Sequence, residues 1–232
     1  MAQTLQLTSA DLASLAFFLL VWAFFTYAAE GVISKRPSLT VAMNRQREIW
    51  IRTMARRDLR MIDTSIMLGL QQGTAFFASS ALIAVGGCFA LLGTPDKLLA
   101  LLADLPYSAP PTRELFEFKV IGLVLILAYA FFKFSWAYRL FNYCSILIGA
   151  VPPAAEFPND PERAERAVKR AARMNILAAK HFGAGLRGVF FSVAYLGWFI
   201  HPLALGATTL LLLGVLMRRQ FFSAAREAAL EP

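Results

Sequence analysis

The chain has 232 residues, of which 58% are hydrophobic and only 16% are charged, against about 25% charged in a typical soluble globular domain. Twenty phenylalanines stand against two histidines and two cysteines, and the formal net charge is +8. This composition excludes an ordinary water-soluble enzyme domain. A disulfide framework is excluded as well, because Cys88 and Cys144 form no CxxC pair and each lies in apolar surroundings.

In chain order, Leu12 to Ala29 contains no Asp, Glu, Lys or Arg and predicts a first membrane span over about 12–33, since roughly 20 helical residues cross the hydrocarbon core. No Lys or Arg precedes this run and Asp11 stands at its mouth. It therefore reads as an uncleaved span rather than a secretory signal.

Next comes "MNRQREIWIRTMARRDLRMID", Met43 to Asp63, with six arginines. On a helical wheel Ile51, Met54, Ala55, Leu59 and Ile62 share one side, and Arg52, Arg56 and Arg60 lie opposite. That pattern predicts an amphipathic helix in the membrane interface, with Arg45, Arg52, Arg56 and Arg60 on lipid head groups and Trp50 at the boundary. Nucleic acid is the weaker partner, because stacking aromatics are not interleaved with the basic residues. Asp58 falls on the apolar side, so either the helix rolls enough to keep it wet or that face packs on protein and Asp58 forms a buried pair with Arg47.

Ile66 to Pro95 is again free of charge and predicts a span over 66–93. Its "GLQQG" offers Gly69 and Gly73 for close intramolecular helix packing. The segment "GTPDKLLALLADLPYSAPPTRELFEF" reads as a short amphipathic helix and a proline-rich turn. A third span is expected over 115–138, broken by Lys133. Lys133, Glu30, Asp63 and Arg139 then form a candidate intramembrane charge cluster, in which Lys133 either pairs with Glu30 or Asp63 or snorkels beside Arg139.

"NDPERAERAVKRAARMNILAAKHFGAGLRG" predicts a second extramembrane helix over 161–182. Asp160 caps it, Pro161 opens it, and Ala164, Val168, Ala171 and Ala172 make a small docking face. Glycines 183, 185 and 188 are expected to loosen its junction with the next span. The last run, Gly188 to Met217, is thirty residues long. It reads as a hairpin of spans 188–200 and 203–217 turning at Pro202, with one kinked span as the alternative.

Basic residues set the orientation. Ser34 to Thr64 and Ala137 to Arg187 hold eight Lys or Arg each, and three more follow Met217. Thr94 to Lys119 holds three. The positive-inside rule puts the basic segments and the C-terminus in the cytoplasm and the N-terminus outside. The fold class is thus an all-α integral membrane bundle of five spans, or four, with two cytoplasmic-side amphipathic or docking helices.

The order of "EGVISKRPSLTVAMNRQREIW", "DTSIMLGLQQGTAFFASSALI", "FKVIGLVLILAYAFFKFSWAYRLFNY" and "GAGLRGVFFSVAYLGWF" resembles an uncharacterised membrane-protein family of proteobacteria and plants, domain of unknown function 599. The resemblance covers roughly Glu30 to Met217 and implies one multi-span domain. It implies no activity, cofactor or catalytic residue.

No P-loop, GxGxxG, HExxH or GxSxG motif occurs, and no metal or cofactor is expected. His181 and His201 fall at opposite faces of the expected topology, so they cannot sandwich a haem. The expectation is a non-catalytic accessory, assembly or scaffolding subunit of the bacterial inner membrane. It would engage anionic phospholipid and a membrane-protein partner or a second copy. The alternative is a small transporter or channel using Lys133 with Glu30 or Asp63.

Overall fold

The computed structural model describes residues 7–96, 99–100 and 112–231, and the regular structure among them is helical. Residues 97–98 and 101–111 of the expected outer segment fall outside the described residues. Among the described residues, five helices are long and apolar enough to cross a membrane.

Helix α1, Ser9–Ala29, starts at a capping box in which Thr8 and Asp11 satisfy each other's backbone N–H groups. Gly31 reverses the chain at φ 79°, a conformation few side chains tolerate. Ser38 then caps α2, Leu39–Ala55, and its hydroxyl also donates to the Ala29 carbonyl. Helix α2 ends eight residues before the expected helix over 43–63 does; a turn at 56–60 separates it from α3, Met61–Gly93. Helix α4 runs Arg113–Gly149, and after a 3-10 turn α5 runs Pro161–Tyr195. Asp160 caps α5 as expected.

The expected docking helix runs without a break into the expected fourth span, as far as Tyr195. Its glycines do not loosen a junction. A Cβ on Gly185 would lie 2.6 Å from the Phe134 ring, and one on Gly188 3.2 Å from the Ala130 Cβ. They let α5 press against α4, as small residues do between membrane helices. Gly69 and Gly73 meet nothing within 4 Å of such an atom and sit on the exposed face of α3. The expectation that they pack helices within the chain is therefore corrected: α3 turns its opposite face, with Met67, Thr74 and Ala81, to the bundle.

The final apolar run folds back on itself. After the short α6, Gly197–Ile200, His201 is extended, and Pro202 opens α7, Pro202–Phe221. Proline costs nothing at a first helical position because that N–H has no intrahelical partner. The Thr208 hydroxyl on α7 lies 2.8 Å from the Ala194 carbonyl of α5 and as near to the Ala204 carbonyl of its own helix, so the two arms of the hairpin meet there. A short α8, Ala224–Leu230, closes the described chain.

Helices α1 and α7 have 21 and 20 residues, about 30 Å at 1.5 Å per residue. Helices α3, α4 and α5 have 33, 37 and 35, roughly 50–55 Å. The long three project beyond the short pair at one end, which we call the basic end. Two main cores result. Phe18, Phe25, Phe116, Phe191, Trp198 and Leu205 fill the part where all the long apolar helices run together. A second core lies at the basic end, where α2 joins the projecting helices: Ile51, Met54, Met67, Phe141, Ile148 and Val168.

Large apolar side chains also cover much of the outside. Leu20 is 70% exposed, Ile83 76%, Leu125 66% and Leu211 72%. A soluble monomer does not present such a belt to water.

Candidate functional site

Polar side chains gather at three levels of the bundle. At the level remote from the basic end, Asp11 is buried at the start of α1 and accepts from Trp198 Nε1 at 2.7 Å. The Trp198 carbonyl in turn accepts from Lys119 Nζ at 2.7 Å, and the ammonium lies 5.2 Å from the indole ring. Lys119 is only 3% exposed. These three residues tie α1, α4 and α6 together.

At the middle level, the carboxylate of Glu30 accepts from Arg187 Nη2 at 2.7 Å. Arg187 is buried on α5 and reaches back along the helix to the end of α1. Glu30 therefore does not pair with Lys133. Lys133 is half-buried, 5.3 Å from the Tyr129 ring, and makes no ion pair among the described residues. Arg139 donates to the Tyr143 hydroxyl one turn on. The expected four-membered charge cluster is thus not assembled.

Asp63, its last member, belongs to the basic end. Fully buried, it accepts from Trp50 Nε1 at 2.7 Å and from Arg57 Nη1 at 2.9 Å, both on Oδ1. Its Oδ2 has no hydrogen-bond partner among the described residues. Half-buried Trp50 thus spends its indole N–H inside the protein, on Asp63.

The arginines of the α2 segment are mostly used internally. Arg60 donates to the Val151 and Pro152 carbonyls at 2.6 Å each and to that of Ile148 at 3.5 Å. It thereby caps the C-terminus of α4, where a cation suits the helix dipole. Arg52 bridges Glu48 and Glu165, and these partners raise its pKa above the ordinary value, Glu165 more than Glu48. Arg47 donates to Asn175 Oδ1 at 2.8 Å, and burial lowers its pKa. Arg45 and Arg56 alone of the expected head-group residues are exposed without a described partner.

One expectation is corrected here. Asp58 is exposed in the turn after α2, so it lies on no apolar helix face and has no pair with Arg47. Helix α2 also has partners on α7 and α5. Thr40 meets Gln220 at the end of α7, Arg47 meets Asn175, and Arg52 meets Glu165. Its contacts step back towards the start of α5, from Asn175 to Glu165, so α2 packs along that helix.

Several of these partners escaped sequence reasoning. Arg187 and Lys119 enter the sequence reading only through the charge counts of their segments, although "FEFKVIG" sets Lys119 between Phe118 and Val120. Arg226, 8% exposed, donates to the Pro37 carbonyl at 2.7 Å and fastens α8 beside α2. Among the described residues no three His, Cys, Asp or Glu converge as metal ligands, and both cysteines are free and buried. Chemically, the described clusters are donor–acceptor locks between helices.

An outer apolar belt, buried locks between long helices and five helices of spanning length define a polytopic membrane protein. The chain belongs to the family described as "Protein of unknown function, DUF599", whose sequence model matches residues 13–225. Comparison with curated proteins and with solved structures gives no match.

Proposed function

We propose that the protein is a non-catalytic accessory or scaffolding component of the bacterial inner membrane, with its basic end in the cytoplasm and its N-terminus outside. The observation that carries this reading is the second core. Beyond the level of Glu30, Arg139, Lys180 and Arg218, the helices α3, α4 and α5 continue and α2 packs against them. An extension with its own core, built by inward-facing arginines, suits a rigid platform. The outer face of α5 carries Arg163, Arg166, Lys169, Arg170, Arg173 and Lys180, all exposed. Only Arg166 and Lys169 of these have a carboxylate partner among the described residues. That face stands off the membrane plane, where a protein partner reaches it better than the lipid of the same bilayer.

Orientation follows from the positive-inside rule. Anionic lipid remains the expected companion of the exposed cations nearest the apolar belt. A scaffold of this kind co-purifies with a stoichiometric partner in mild detergent. A solitary, monodisperse protein from native membranes would contradict it.

The transporter reading keeps one supporting observation: Glu30, Arg187, Lys133 and His181 occupy neighbouring positions on three spanning helices. It predicts that Lys133→Met abolishes flux at normal expression. The closed Glu30–Arg187 pair favours the scaffold.

A further inference from the structure

At the basic end of the apolar belt, α1, the segment 33–36 and the end of α7 line a cleft of about 260 Å³. Phe24, Ala28, Met217 and Phe221 line its floor, and Arg36 stands at its mouth. A second cleft, of about 420 Å³, adjoins it across Phe222 and carries Arg218 and Arg219. The ring of Phe222, 64% exposed, is shared by both.

Arg36 is held in place. Its guanidinium lies 4.8 Å from the Phe222 ring centroid. The Ser34 hydroxyl donates to the Arg36 carbonyl at 3.1 Å and accepts from its N–H at 3.2 Å. Pro37 follows, which restricts the backbone of Arg36 to extended conformations. Among the described residues, none of Arg36, Arg218 and Arg219 has a carboxylate partner, whereas most arginines of α2 do their work inside the protein.

We propose that these clefts form a binding site for one anionic phospholipid. Its phosphate would sit between Arg36 and the Arg218–Arg219 pair, and an acyl chain would lie in the groove between α1 and α7. The place fits the occupant. The groove opens between two helices of spanning length whose outer faces carry Leu20 and Leu211, and the arginines come where the apolar runs end. Guanidinium matches phosphate by paired N–H donors. Three uncompensated cations favour a headgroup of net negative charge over a zwitterionic one, whose ammonium they repel. The site rests on the reading that the protein engages anionic lipid, and it names where and with which atoms.

Native mass spectrometry of the full chain, titrated with dioleoylphosphatidylglycerol or dioleoylphosphatidylcholine, tests it. The first phosphatidylglycerol adduct should form at lower lipid concentration than the phosphatidylcholine adduct. Arg36→Gln/Arg218→Gln/Arg219→Gln should weaken it by at least about tenfold. Arg163→Gln/Arg166→Gln/Arg170→Gln, on the outer face of α5, should leave it unchanged. Glycerol 3-phosphate should not compete, because it has no acyl chain to fill the groove. If both triple variants weaken the adduct equally, the site is overturned while the wider lipid reading stands. If the two lipids bind alike to the unaltered protein, both fall. Competition by glycerol 3-phosphate would replace the lipid with a free phosphate ligand and likewise overturn the site.

Discussion

Replacing Arg60 by glutamine separates a structural arginine from a lipid-facing one. The guanidinium joins the turn after α2 to the three carbonyls that end α4, two of them at 2.6 Å. Hydrogen bonds to a charged group contribute about 1.5–3 kcal/mol each. Arg60 is half-buried, so water replaces part of what is lost, and a net destabilisation of about 2 kcal/mol is the reasonable figure. For a chain of this size that corresponds to a fall in Tm of roughly 4–8 °C. The assay is thermal unfolding in detergent followed by tryptophan fluorescence, with Trp50 bonded to Asp63 close by as a local reporter. Arg56→Gln is the control, because Arg56 is exposed and without a described partner; it should shift stability by less than about 0.5 kcal/mol. Equal melting of the two variants, with weaker vesicle binding by Arg60→Gln, would refute the reasoning and return Arg60 to the head groups.

Other perturbations follow from the same locks. Glu30→Gln leaves Arg187, 7% exposed, without its counter-ion; about 2–4 kcal/mol should be lost in chemical unfolding, and Glu30→Leu/Arg187→Met should recover most of it. Gly185→Val drives a side chain into the Phe134 ring and should lower the melting temperature through an overpacking cost of about 1–3 kcal/mol, whereas Gly73→Ala, on the open face of α3, should be silent. Lys133→Met should cost no more than about 1 kcal/mol in the same melting assay, since a cation–π contact with Tyr129 is all that it removes.

Much of the bundle was legible because hydrocarbon imposes a strong pattern on sequence. The charge-free runs marked α1, α3 and α7, and Pro202 within the last of them marked the hairpin. Asp160 and Pro161 marked the start of α5. The failures share a cause. Helical periodicity reports which residues lie on one face, but it does not report what covers that face. Ile51, Met54 and Ala55 do share a buried face, yet α5 and its neighbours cover it instead of lipid. The period also carried the reading straight through Arg56 to Arg60, where the chain turns and Asp58 meets solvent.

Long side chains added a second difficulty. Arg187 reaches Glu30 across 157 positions of sequence, and Lys119 meets Trp198 across 79. No local signal chooses such partners among several charges at similar depth. The GxxxG at Gly69 and Gly73 shows the reverse case, a local motif with no packed neighbour, while Gly185 and Gly188 do the packing without that spacing.

The central claim is that a rigid, arginine-built extension stands on the cytoplasmic side of a five-helix membrane domain. Asp96→Cys and Arg170→Cys, made separately in intact cells, test it with a membrane-impermeant maleimide; the native Cys88 and Cys144 are buried and give little background. The account predicts labelling of position 96 in intact cells and of position 170 only after the membrane is opened or inverted. Labelling of both positions from the same side would contradict it.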